Sequence, residues 1–374
     1  VTDLSWHTDE HPELRAGPPW LMEEMIALEP GLAEQMLGHP SPAAAAIAAE
    51  VEAALAAGRP VTVTGCGTSE HGAWGIAALL ADAVGPARRG LVRAQPALRA
   101  ALEPADGLCL AVSHEGATRA TMLAVDAARA AGARTAVVTQ APDAAIAAAC
   151  DHVLVTPLRD ASWCHTVGYL SPLLAGATIA FALGARPMDP AVARDLVRAP
   201  GGFDAAPLAD RRVVLCAGAG VDQITARELA LKLAEGARLP TVALELETVL
   251  HGQLAGHDAA DALVLVAIDA PADADRVARR AAHIAGAAAA IGLPVVGLLS
   301  RRHADALAPD LTPGGRLVVA DPADRLAALL SGAGALQALA VATVHARGTN
   351  PDLIRREVDA YRAAAGVAEH DEAW

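Results

Sequence analysis

Short apolar, β-branched runs alternate along this chain with longer stretches of helical periodicity. Val61–Thr64, Leu108–Val112, Thr135–Thr139 and His152–Pro157 read as strands, with helices predicted over His71–Ala83 and from Thr118 to about Ala131. A long uncharged stretch, Val167–Ala185, closes this first series. The rhythm then repeats. Arg212–Cys216, Ala262–Asp269, Pro294–Leu299 and Arg316–Asp321 read as strands, and Asp222–Ala237, Asp273–Ile291 and Arg325–His345 as helices. Ahead of both series, MEEMIALEPGLAEQML spaces acidic and apolar residues helically until HPSP interrupts it, and a second helix over Ala43–Ala57 stops at Gly58.

Strands separated by helical segments of this length imply parallel sheets covered on both faces. The predicted class is α/β, with two tandem doubly wound, flavodoxin-like parallel-sheet domains. The expected layout is a helical lead-in over 1–40, a first domain over 41–200, a second over 205–345 and a tail over 346–374. A linker near 197–210 carries RAPGG.

With 53% apolar residues in 374, the chain has ample material for two cores, and at 2% aromatics those cores must be filled by Ala, Val, Leu and Gly. Val167–Ala185 approaches the length of a membrane span, but Pro172 and its glycines favour an interior helix, so no membrane partner is expected. A net charge of −14 without any basic run argues against nucleic acid. Five cysteines, scattered and without CxxC spacing, suit a reducing cytoplasm and neither a disulfide framework nor a zinc site. No positively charged start leads into an apolar core, so a cytoplasmic location is expected.

The most informative stretch is Arg227–Gln253. It holds Lys232, the single lysine of the chain. Arginine is a wide fork that stays protonated, whereas lysine is a compact charge whose pKa responds to its surroundings. Glu228 and Glu235 share its helical face at i−4 and i+3, and His251 follows on an HG turn. A carboxylate, an ammonium and an imidazole form an acid/base set; a surface helix with two salt bridges fits the same spacing. In open α/β sheets ligands bind beyond the carboxyl ends of the strands. There the first half offers Gly67, Thr68 and Ser69 in one loop, and Ser113, His114, Glu115 and Thr118 in another. Hydroxyls and free N–H groups at helix starts favour an oxyanion. The second half offers only AGAG and DAPADA, so one polar ligand site per chain is expected, built mainly by the first half. His71 and Trp74 read as packing, Cys66 as a small filler, and His257, His283 and His303 lack metal-ligand spacing.

CGTS at 66–69, SHEGAT at 113–118, ELALKLAEG at 228–236, HGQL at 251–254 and GTNPDLIRR at 348–356 resemble the sugar isomerase (SIS) family. The resemblance is nearest to the isomerase half of the glucosamine-6-phosphate synthases, without a glutaminase domain, and covers roughly 40–356. It implies two SIS-type domains and an aldose–ketose isomerase for a sugar or amino sugar, working through a cis-enediol without metal or organic cofactor. Glu235 would move the proton between C1 and C2, Lys232 would stabilise the enediolate, and His251 would open the ring. In the family that histidine can come from a neighbouring subunit, which implies a homodimer with the site near its interface.

Three departures bear on substrate. Glu115 stands where the family's Ser-x-Ser-Gly-x-Thr pattern has its second serine, with His114 before it; a carboxylate beside a phosphate dianion is electrostatically unfavourable. Trp163-Cys164-His165-Thr166 replaces small and hydroxyl-bearing residues, which makes His165 and Thr166 further substrate-contact candidates. The C-terminal lysine of the synthases has no counterpart, so glutamine-dependent amination is not expected. Asn350 and Arg355 are candidates for closing the pocket. Two other readings stay open: an amino-sugar deaminase or deglycase of the same fold, and a non-catalytic sugar-binding protein.

Overall fold

The computed structural model describes residues 12–198, 200–269 and 274–369. Its ten strands form two all-parallel sheets of five. The first comprises β1 (Val61–Gly65), β2 (Val92–Pro96), β3 (Leu108–Val112), β4 (Arg134–Thr139) and β5 (His152–Val155), in the order β2-β1-β3-β4-β5. The second comprises β6 (Val214–Gly218), β7 (Thr241–Glu245), β8 (Ala262–Ala267), β9 (Val295–Ser300) and β10 (Arg316–Val319), in the order β7-β6-β8-β9-β10. Strand for strand the two orders are the same, and each reverses direction between its first and third strands, at β1/β3 and at β6/β8. The α/β class and the doubly wound architecture are as the alternation predicts.

Two strands are not legible in that alternation, and both occupy the same place. β2 (VRAQP) and β7 (TVALE) lie at sheet edges, and each exposes part of its length. The central strands β1, β3, β6 and β8 are buried throughout and therefore read as unbroken apolar runs. The predicted helix start at Asp273 and most of DAPADA lie outside the described residues, as do positions 1–11 of the lead-in.

A continuous apolar core runs through both sheets and the helices between them. Val167–Ala182, with Pro172 inside it, is wholly buried except at its C-terminal end. It crosses the Thr68–Ala83 helix closely because the contact is made of glycine. A Cβ on Gly75 would fall 2.1 Å from Leu173 Cδ2, and one on Gly176 would fall 2.8 Å from Ile76 Cγ1. The helix Arg325–Arg347 is long and apolar enough to cross a bilayer, yet 83% of its most apolar window is buried inside the fold. It packs on the Asp222–Glu235 helix of the second sheet. Near the C-terminus, the Asp352 carboxylate accepts the N–H groups of Leu21 and Met22, both at 2.9 Å. It thereby caps the Leu21–Gly38 helix from more than 300 residues away in sequence.

Candidate active site

Each half turns from its first strand into a helix through an unusually tight loop. A Cβ on Gly65 would lie 2.7 Å from the Ser69 backbone, and one on Gly218 would lie 2.5 Å from that of Asp222. Ser69 and Asp222 are thus matched positions, each four residues past its glycine. Their side chains separate the two halves. The Asp222 carboxylate accepts the N–H groups of Ile268 and Asp269 at 3.0 and 3.1 Å, so the second half fills its own switch point. The first half carries the shorter, uncharged Ser69, half-buried, with Gly67 exposed beside it at φ +56°.

The Thr68–Ala83 helix of the first half meets the Asp222–Glu235 helix of the second, and there the structure assembles a charged cluster. Lys232 Nζ lies 2.6 Å from Glu235 Oε2, 3.4 Å from Glu228 Oε1 and 3.0 Å from Thr68 Oγ1. The Thr68 hydroxyl donates to Glu228 Oε1 at 3.2 Å, and His71 Nδ1 lies 2.6 Å from Glu228 Oε2. Lys232 is 1% exposed and Glu228 fully buried, which removes the surface-salt-bridge reading of this helix. Glu235, at the helix C-terminus, keeps the most exposed side chain of the cluster, at 22%, ahead of His71 at 13%.

The charges settle accordingly. Burial alone would lower Lys232, but the carboxylates of Glu235 and Glu228 outweigh it, and the ammonium is held charged. Burial would raise Glu228, but Lys232 and the His71 bond bring it below the usual carboxylate range. Burial raises Glu235, and here Lys232 offsets only part of the shift. The cluster therefore holds one fixed cation, one fixed anion and one carboxyl, Glu235, that burial raises. The buried Cys164 thiol lies against the same groups, and burial raises it strongly.

The second loop of the first half lies beside this cluster. His165, whose titration feels the charge of Lys232, has its ring centroid 5.2 Å from that of His114. His114 Nε2 accepts the Asp160 N–H at 2.9 Å. The buried Asp160 carboxylate in turn accepts the N–H groups of Ser162, Thr166 and Gly168, fixing the turn that carries Cys164 and His165. Burial pushes Asp160 up to about 6, His114 down to about 4 and His165 down to about 3. Ser113 is buried, and its hydroxyl has no partner among the described residues. Glu115 and Thr118 are exposed, Thr118 at the N-cap of the Arg119–Ala130 helix. Thr166 is buried at the start of the Val167–Ala182 helix.

Lys232, Glu235, Glu228, Thr68 and His71 thus form one bonded cluster, and His114 and His165 pack against each other. His251 does not join them within this chain: it is exposed on the turn after β7, with its Nε2 2.9 Å from Glu247 Oε1. Asn350 ties the tail to Arg15 by donating an Nδ2–H to its carbonyl at 3.2 Å, while Arg355 lies over the Tyr361 ring; neither bonds to the cluster among the described residues. His71 is a cluster member that its sequence context presents as packing. The available signal is its i+3 spacing from Thr68, which puts both on one helical face. Glu228 shares Lys232's face in the sequence, but its central place shows only once the two halves meet.

Neither a protein-family model nor a curated protein sequence matches this chain. Solved structures do. The C-terminal domain of glucosamine-fructose-6-phosphate aminotransferase from Francisella tularensis superposes with a TM-score of 0.74 at 16% identity, over 91% of this chain and 99% of that one. The chain has the tandem SIS fold. Tagatose-6-phosphate ketose/aldose isomerase from Escherichia coli matches at 0.69 and 15% identity, over 92% and 97% of the two chains. Glucosamine-6-phosphate deaminase from Thermotoga maritima matches at 0.58 and 17%, over 89% and 96%.

Proposed function

We propose that this SIS-fold chain is a cytoplasmic sugar isomerase interconverting aldose and ketose forms of a sugar or amino sugar through a cis-enediol. The observation that carries the reading is the Lys232 cluster: a buried ammonium held charged beside a carboxyl, Glu235, that burial raises and that remains open to a ligand. A C–H next to a carbonyl becomes acidic when a fixed positive charge meets the oxygen on which negative charge develops. In this reading Glu235 removes the proton from one carbon and returns it to its neighbour, and Lys232 stabilises the enediolate. Glu228, pinned by His71, Thr68 and Lys232, holds the ammonium in place. Gly67, Thr68 and Ser69 border the reacting end, and Ser113, His114, Glu115, Thr118, His165 and Thr166 the rest of the sugar. His251 completes the set from a second copy in a homodimer, since its own chain leaves it exposed and away from Lys232.

The chemistry needs no metal or organic cofactor, because the proton stays on a protein carboxylate. The test is solvent deuterium incorporation at C1 or C2 of candidate aldose–ketose pairs, followed by NMR. Glu235→Gln should cut exchange at least about 1,000-fold while leaving the fold unchanged, as expected for a group used in the transition state. Near-normal exchange by that variant would sink the proposal. The deaminase among the structural matches supports a second reading in which the same base acts on an amino sugar, distinguished by release of ammonia.

A further inference from the structure

We infer that His71 is a further catalytic group of this site, the one that carries the hydroxyl proton between the two oxygens as aldose and ketose interconvert. The inference rests on the isomerase reading and fills a step that Glu235, Lys232 and His251 leave unassigned.

Isomerisation through a cis-enediol moves two protons, one from carbon to carbon and one from oxygen to oxygen. Glu235 is given the first. For the second, the bonded cluster leaves one candidate. The Lys232 ammonium is shared among Glu235, Glu228 and Thr68, and the Thr68 hydroxyl accepts from Lys232 and donates to Glu228. Glu228 is fully buried against Lys232, Thr68 and His71 and is held ionised, so its oxygens only accept. His71 Nδ1, 2.6 Å from Glu228 Oε2, must therefore be the N–H donor, which leaves the lone pair on Nε2. That nitrogen has no hydrogen-bond partner among the described residues.

Two side chains of the cluster reach the surface, those of Glu235 and His71; Thr68, Glu228 and Lys232 are buried. They end the bonded chain His71–Glu228–Lys232–Glu235, whose links measure 2.6, 3.4 and 2.6 Å. A buried carboxylate on Nδ1–H holds an imidazole in one tautomer and steadies the imidazolium that forms when Nε2 takes a proton. In the aldose-to-ketose direction Glu235 takes the C2 proton, the C2–H pair forms the C1–C2 double bond, and the carbonyl pair moves to O1. Nε2 takes the proton of the C2 hydroxyl and gives it to O1. The C2 carbonyl forms as Glu235 returns its proton to C1, and the imidazole ends neutral.

His71→Asn keeps an N–H donor for Glu228 and removes the Nε2 base. With glucose and glucose 6-phosphate as probes in D2O, ketose formation should fall about 100-fold with KM within about three-fold of wild type. The recovered aldose should still gain deuterium at C2, because Glu235 continues to take and return that proton; Glu235→Gln should lose both signals. Urea denaturation checks the fold, and if His71→Asn does not fold, His71→Gln, a longer amide donor, is read in the same way. Ketose formation within about three-fold of wild type, or exchange and ketose formation lost in equal measure, overturns the inference and leaves the isomerase reading intact. Near-normal exchange by Glu235→Gln, or no exchange of either sugar by the wild type, overturns both.

Discussion

Lys232→Met removes the one cation from a buried cluster that also holds two carboxylates, and the size of the effect can be worked from the distances. At an effective dielectric constant of about 20, unit charges 2.6 and 3.4 Å apart attract by about 6 and about 5 kcal/mol respectively. Withdrawing the ammonium from water costs several kcal/mol, so the net penalty for deleting one partner should be about 3–5 kcal/mol. For a chain of 374 residues that is a fall of roughly 4–6 °C in the unfolding midpoint. The penalty should also depend on pH, with a definite sign. In the wild type Glu228 is held below its ordinary value, so it contributes stability above the unfolded pKa and loses it as pH falls through the folded one. Without Lys232, burial dominates both carboxyls and raises them. Their cost is then full above the raised values and relieved as pH falls. Urea denaturation at pH 8 and pH 5 should therefore find Lys232→Met more damaging at pH 8. A penalty below about 1 kcal/mol at pH 8, or one unchanged between the two pH values, would refute the assignment of a charged, buried ammonium.

Asp222 provides a second pH signature. Burial pushes its carboxyl up to about 7, so the folded state holds a proton that the unfolded chain has released, and stability falls as pH rises from about 4 to about 7. Asp222→Asn should flatten that part of the stability profile by up to one proton's slope, about 1.4 kcal/mol per pH unit, as read by denaturation at successive pH values. Asp352→Ala leaves the N–H groups of Leu21 and Met22 without their acceptor and should cost about 1–2 kcal/mol. Faster proteolytic clipping near the start of the Leu21–Gly38 helix would report the loosened contact.

What could be read from the sequence was what is local or fully buried. Central strands such as LCLAV and ALVLVA announce themselves because both faces are covered. The edge strands VRAQP and TVALE do not, since half-exposed backbone tolerates Arg, Gln, Thr and Glu. The face shared by Glu228, Lys232 and Glu235 follows from helical spacing, and the structure places all three at one point. The role of His71 could not be read in that way, because its partner lies 157 residues away. Nor could the bonds of the Thr68 hydroxyl to Glu228 and Lys232, which lie 160 and 164 residues away. His251 sits in the expected motif, and within this chain it is exposed and paired with Glu247.

The bonds from Thr68 and His71 to Glu228 and Lys232 span 157 to 164 residues and join two halves built on the same strand order. Either half can in principle complete its own sheet, but the Thr68–His71–Glu228–Lys232 cluster exists only after the two have docked. Closing so long a loop is an entropic cost that local contacts cannot recover. During refolding, helix content and sheet burial can therefore be complete before the cluster exists, and for the proposed isomerase the return of turnover times the docking of one half on the other.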